Sequence, residues 1–150
     1  MTDELNIYKT DMTFDDGRTI HFMYDRDSDD LEIVFERARA NCTVELTDSI
    51  VLRFDRDQEK ALSLILLSFS ALAQTTEIGP RSFPATGLAD LPEGLRRTVV
   101  KIITSPPVSR FLKLTCYSPT PTERIPLTYV ERPPALFQEL TGFWKPVTSL

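Results

Sequence analysis

A chain of 150 residues with 41% apolar side chains is long enough for one domain that buries roughly 70% of the surface its extended form exposes. Its two cysteines, Cys42 and Cys116, are too far apart in sequence for a zinc knuckle or a disulfide framework, and no apolar run reaches the length of a membrane helix. The net charge of −5 is unevenly divided: residues 1–75 carry −8 and residues 76–150 carry +3, which predicts pairing between the halves and disfavours nucleic acid, whose phosphates need a clustered basic face.

The chain opens on the acidic Met1-Thr2-Asp3-Glu4-Leu5, unlike a secretory leader, so a soluble cytoplasmic protein with reduced thiols is expected. Asp16-Gly17 predicts a two-residue hairpin turn, because both residues accept positive φ. Beyond it Ile20, Phe22 and Tyr24 alternate with Thr19, His21 and Met23, the two-residue period of a strand. Leu31, Ile33 and Phe35 then oppose Glu32, Val34 and Glu36, and Val44 and Leu46 lead through a polar interruption to Ile50, Leu52 and Phe54. Leu62, Leu64 and Leu66 oppose Ser63, Ile65 and Leu67; a strand apolar on both faces is expected to be central or covered. These runs read as five or six antiparallel strands in meander order. Two of the turns echo one another: Tyr24-Asp25-Arg26-Asp27-Ser28-Asp29-Asp30-Leu31 is matched in outline by Phe54-Asp55-Arg56-Asp57-Gln58-Glu59-Lys60-Ala61, each an acidic turn between two apolar runs.

All eleven prolines fall at or after Pro80, and the pattern changes there. Asp90-Leu91-Pro92-Glu93 has the form of a capping box with proline in the first turn. Leu91, Leu95, Val99, Ile102 and Ile103 follow at helical spacing, an apolar stripe expected to cover the sheet until Pro106-Pro107 stops the helix. Extended segments are expected over residues 110–117 and 126–130, and a short helix over 134–141. The aliphatic and aromatic residues among the prolines argue for an ordered wrap over the sheet rather than a disordered tail.

Tyr24-Asp25 with its acidic turn, Leu31-Glu32-Ile33, Val44-Glu45-Leu46, Ile50-Val51-Leu52, Asp55 and Ala61-Leu62-Ser63-Leu64-Ile65-Leu66 resemble a short bacterial module, the domain of unknown function 2283 family. The likeness covers residues 24–67. It departs at Glu32, where the family often has an aromatic, and at Glu59-Lys60, which replace a glycine of the second turn. Its motifs are structural turns, so it implies no catalytic residues. Some members resemble partners encoded beside small toxin-like proteins, which implies at most an inhibitory or adaptor role.

Candidate chemistry is sparse. Asp25, Asp27 and Asp29 have the one-three-five spacing of a calcium loop, with Glu36 at the twelfth position. The sixth position is Asp30 rather than glycine and the flanks read as strands, so solvated turn aspartates are expected there and no metal site. His21 is the only histidine and reads as a half-buried strand residue; pairing it with Cys42 or Cys116 as a thiol dyad needs a contact the sequence does not show. Gly17, Gly79, Gly87, Gly94 and Gly142 are scattered, so no phosphate loop or dinucleotide fingerprint occurs and no cofactor is expected. Arg96, Arg97 and Lys101 share the polar side of the predicted helix. Tyr117, Tyr129, Phe143 and Trp144 are the large anchors of the second half, aromatic side chains being enriched where partners bind.

The sequence therefore reads as one α+β domain: an antiparallel β-meander over residues 1–80, covered by one helix and wrapped by a proline-rich C-terminal extension over 81–150. No enzyme is expected. The expected function is that of a non-catalytic protein-interaction module, an accessory subunit or adaptor. Its partner is another protein met by Arg96, Arg97, Lys101, Phe143 and Trp144, with neither nucleic acid nor membrane involved and homo-oligomerisation left open. A small-molecule or metal-binding regulator, a toxin-neutralising partner and a cryptic thiol or carboxylate hydrolase are the alternatives.

Overall fold

The computed structural model describes residues 6–77 and 79–131. Six strands, β1 (Ile7–Thr13), β2 (Thr19–Asp25), β3 (Asp30–Val34), β4 (Cys42–Thr47), β5 (Ile50–Asp55) and β6 (Lys60–Leu66), form an antiparallel sheet in the order β1-β2-β3-β6-β5-β4. There follow α1 (Phe69–Leu72), the two-residue strands β7 (Thr75–Thr76), β8 (Gly79–Pro80) and β9 (Phe83–Pro84), then α2 (Thr86–Ala89) and α3 (Glu93–Ile103). A 3-10 turn at Val108–Arg110 leads into β10 (Leu112–Tyr117) and β11 (Ile125–Val130). Strands β10, β11 and β9 make a second antiparallel sheet in that order, and β7 pairs with β8. The architecture is α+β and dominated by antiparallel strands. The expected 134–141 helix and the last part of the expected wrap lie outside the described residues.

The large sheet differs from a simple meander. It is built from two three-stranded meanders whose third strands, β3 and β6, pair antiparallel at the centre, so the connection after β3 crosses to the far edge before β4 begins. A rotation about an axis between β3 and β6 exchanges β1 with β4, β2 with β5 and β3 with β6. The echoed turns obey that symmetry. Asp25 Oδ1 accepts the backbone N–H groups of Asp27 and Ser28 at 3.0 and 3.4 Å, and Asp55 Oδ1 accepts those of Asp57 and Gln58 at 2.9 and 3.2 Å. Asp29 and Glu59, the fifth residues of the two turns, both adopt positive φ, 61° and 52°. Glu59 thus holds a left-handed conformation that glycine would take without strain.

Strand alternation places Ile20, Phe22, Tyr24, Leu31, Ile33, Val44, Leu46, Ile50, Leu52 and Phe54 in one buried face, as their two-residue period predicts. Strand β6 departs from strict alternation. Arg53 pairs with Ser63 and Phe54 with Ala61, so Leu62 is an extra, bulged residue, and its carbonyl takes the N–H groups of both Phe35 and Glu36. Ala61, Leu64 and Leu66 face the core, while Leu62 joins Ser63 on the opposite side. The expected two-sided apolar character and central position of this strand both hold; the parity assigned to Leu62 does not.

The hairpin at Asp16-Gly17 is one residue longer than expected. Phe14 N–H bonds Arg18 O and Gly17 N–H bonds Phe14 O, with Gly17 at φ 85°, which is a three-residue loop closed by a left-handed glycine. The cap of α3 also differs. Its N-cap residue is Pro92, without a side-chain cap, because Asp90 already ends α2; the Arg96 guanidinium bonds the Ala89 and Leu91 carbonyls instead, at 3.2 and 3.0 Å.

The predicted stripe covers the sheet: Val99, Ile102 and Ile103 are buried in the same cluster as the sheet residues, with Leu91 and Leu95 half-buried at its margin. Phe111 reaches the middle of that cluster, its ring 5.6 Å from Phe22 and 5.9 Å from Phe14 in edge-to-face contact, a geometry worth about 1 kcal/mol beyond area burial. One helix was expected over the sheet; α1, α2 and the small sheet contribute as well. Charge complementarity joins the halves through Lys101–Glu59 at 2.7 Å and Arg110–Asp16 at 3.4 Å.

Candidate functional site

The acidic turns are structural. Asp29 accepts the Ser70 N–H and hydroxyl and the Tyr24 hydroxyl, the last at 2.6 Å, while Asp30 accepts the Ser68 N–H at 3.2 Å. Asp27 accepts from Asn6, and Asp25 caps its own turn. Three carboxylates with calcium-loop spacing are therefore engaged in different directions, and Asp29, with Asp30 beside it, fastens α1 to the turn. Burial, and then the bond to Asp29, push the Tyr24 hydroxyl above its ordinary range. Among the described residues no group of three or more His, Cys, Asp or Glu side chains converges as metal ligands do.

The second turn holds α3 in the same manner. Glu59 accepts from Lys101 at 2.7 Å and from Thr98 at 3.3 Å, and the Lys101 ammonium keeps its carboxyl below the ordinary value. A cavity of about 550 Å³ beside this turn is lined by Arg18, Glu36, Lys60 and Lys101 among others, and four of its charges are already paired, Lys60 with Glu36 at 3.0 Å and Lys101 with Glu59.

Across the opposite face of the sheet, Asp11, His21, Val34, Ser63 and Arg53 stand in one cross-strand row. His21 Nδ1 lies 2.7 Å from Asp11 Oδ1, a partner one strand away that sequence spacing alone could not supply. Ser63 stands two strands from His21, roughly 10 Å along the row, and is buried under Arg53, whose Nη1 reaches its hydroxyl at 3.2 Å. A nucleophile and base need hydrogen-bond reach. Cys42 faces the core from β4, with β5, β6 and β3 between it and β2, and Cys116 lies exposed in the small sheet, so the histidine pairs with neither thiol.

The three cations expected at a partner surface have internal contacts. Arg97 pairs with Glu93 at 2.7 Å one turn back, Lys101 with Glu59, and Arg96 with the two carbonyls before α3. Phe143 and Trp144 lie outside the described residues. Tyr129 is half-buried, whereas Tyr117 is 54% exposed, the large apolar side chain most open to solvent among the described residues.

Arg96 nevertheless borders an apolar concavity. An open groove of about 520 Å³ runs between α2, α3 and the small sheet, with Leu88, Val100, Leu114 and Pro126 on its walls and Arg96 and Arg124 at its rim, a volume in the range of binding clefts. Arg124 makes no ion pair among the described residues. Ala89, Thr115 and Cys116 complete the lining. Arg124 sits in a turn-rich segment and carried no pattern that marked it, and the groove joins four elements that only the tertiary fold brings together.

No helix among the described residues is long and apolar enough to cross a membrane. Compared with known proteins, the chain matches no family model, no curated protein and no solved structure.

Proposed function

We propose that the protein is a non-catalytic interaction module, an accessory or adaptor protein, that docks an apolar, acidic segment of a partner protein into the groove between α2, α3 and the small sheet. The observation that carries this reading is the composition of the groove: apolar walls from Leu88, Val100, Leu114 and Pro126 under a rim of two arginines. Apolar walls reward desolvation of aliphatic side chains, and arginine at the rim favours carboxylates and steers acidic partners. The acidic sheet and its turns supply the rigid support, the Asp29 and Glu59 carboxylates being bonded internally.

Panning a displayed random-peptide library against the purified chain tests this. Peptides rich in aliphatic and acidic residues should be enriched, and their binding should be lost in Arg124→Glu and Ala89→Glu, both exposed groove positions whose substitution leaves the core intact. Enriched peptides that bind both variants as well as wild type, or no enrichment at all, would remove the assignment.

A further inference from the structure

Strand β10 borders the groove and is the outer strand of the small sheet. Which of its backbone groups are open follows from the ladder. Phe111 O accepts Glu131 N–H at 2.7 Å, one step beyond the Leu112–Val130 pair. Antiparallel pairs alternate between hydrogen-bonded and non-hydrogen-bonded. Lys113, Thr115 and Tyr117 therefore bond β11, while the N–H and C=O groups of Leu112, Leu114 and Cys116 point away from it. Pro126, opposite Cys116, confirms the parity, for its carbonyl turns outward to Ala85 N–H at 2.8 Å. Among the described residues no strand pairs with the outer side of β10.

The contrast with the edge at β4 is informative. Helix α2 closes it: Gly87 lies so close that an added Cβ would stand 1.7 Å from the Glu45 carbonyl oxygen. Native proteins usually cover or charge an open edge because it templates pairing with another chain. Strand β10 instead ends in the exposed run Thr115, Cys116 and Tyr117, with Tyr117 on one face and Leu114 and Cys116 toward the groove on the other.

We infer that the partner segment is an extended strand that adds to the outer edge of β10, bonding the outward groups of Leu114 and Cys116. Its groove-facing side chains are aliphatic at the centre and acidic at the ends, where they meet Arg96 and Arg124. This rests on the groove reading above and specifies its occupant. Main-chain bonds would supply affinity and the groove selectivity for alternate side chains; Tyr117 would cover the other face of the added strand.

The probe is a fluorescein-labelled short peptide with valine at its central groove-facing positions and glutamate at the outer ones, titrated with the full chain at low salt and followed by anisotropy. Three changes are compared with it. N-methylation of alternate peptide amides on the bonding edge should weaken binding by about tenfold or more, the loss of roughly 1.4 kcal/mol of backbone bonding. Cys116→Pro removes an outward N–H and no ladder bond, so it should have a similar effect while thermal stability stays near wild type. Lysine in place of glutamate in the peptide should also cost about tenfold, by charge repulsion at the arginines. Binding that survives both N-methylation and Cys116→Pro, yet is lost in Ala89→Glu, would overturn strand addition and leave groove docking standing. Failure of the valine–glutamate peptide and of every panned peptide to bind would overturn both. Because N-methylated peptides are tested on the wild-type chain, the result does not depend on the folding of a variant.

Discussion

Replacing Asp29 by alanine should lower stability by about 3 kcal/mol. The carboxylate accepts the Ser70 N–H, the Ser70 hydroxyl and the Tyr24 hydroxyl, and bonds to a charged acceptor contribute about 1.5–3 kcal/mol where they are partly shielded from water. Tyr24 is 2% exposed, so its hydroxyl would be left without a partner, which costs about 1 kcal/mol more. Alanine gains nothing in return, since φ 61° is at least as strained for it as for aspartate. For a chain of this size 3 kcal/mol corresponds to a fall in melting temperature of about 6–12 °C. Asp29→Gly should cost about 1 kcal/mol less than Asp29→Ala by relieving the left-handed backbone, and Asp29→Asn should cost least, keeping an acceptor and tolerating positive φ. Glu59→Gly at the equivalent turn should be neutral or stabilising, because the Lys101 pair it removes is exposed while the strain it relieves is comparable. Thermal and urea unfolding of the four variants checks the order. Equal effects of glycine at positions 29 and 59 would refute the claim that one turn is held by buried bonds and the other by an exposed ion pair.

Val99→Asp, which places a charge at a fully buried helix position, should cost several kcal/mol, comparable with total stability; Leu95→Asp, at a half-buried position of the same stripe, should cost clearly less, and paired melting curves decide it. Gly87→Ala should destabilise by about 1–3 kcal/mol through the collision with the Glu45 carbonyl and uncover the β4 edge, seen as a lower melting temperature with concentration-dependent light scattering. The Glu59 carboxyl is held below its ordinary value of 4.5 by Lys101, so its contribution is full above the unfolded value and is lost as pH falls through the folded one; the decline in melting temperature on acidification should be shallower in Glu59→Gln.

Local patterns in the sequence were informative wherever one element settles its own environment. The alternation through Ile20, Phe22 and Tyr24 and the stripe through Val99, Ile102 and Ile103 identify the buried faces, since period alone decides them. Capping was not legible at Asp90, because α2 ends there and α3 begins only at Glu93, with Pro92 in the cap position. Strand order was hidden as well. Pairing of β3 with β6 joins Leu31 to Leu66 across a whole intervening hairpin, and nothing local encodes that choice except the two-sided apolar character of β6. The groove was the least visible feature, since Leu88, Val100, Leu114 and Arg124 come from separate segments and each reads alone as an ordinary core or surface residue.

The repeated turns explain why the acidic half makes a poor ligand site and a good support. Two hairpins with the same Asp-Arg-Asp opening place an acidic side chain at the same left-handed position, and each carboxylate grips a helix lying over the sheet, α1 through Ser70 and α3 through Thr98 and Lys101. Negative charge that sequence reading assigns to solvated turns is thereby turned inward as fastening. Helix α3, fixed at Glu59 on one side, presents Val100 and Arg96 to the groove on the other. Because the Glu59–Lys101 pair is exposed, α3 is held chiefly by Val99, Ile102 and Ile103 beneath it, so Val99 variants that loosen α3 should weaken peptide binding even though Val99 does not line the groove.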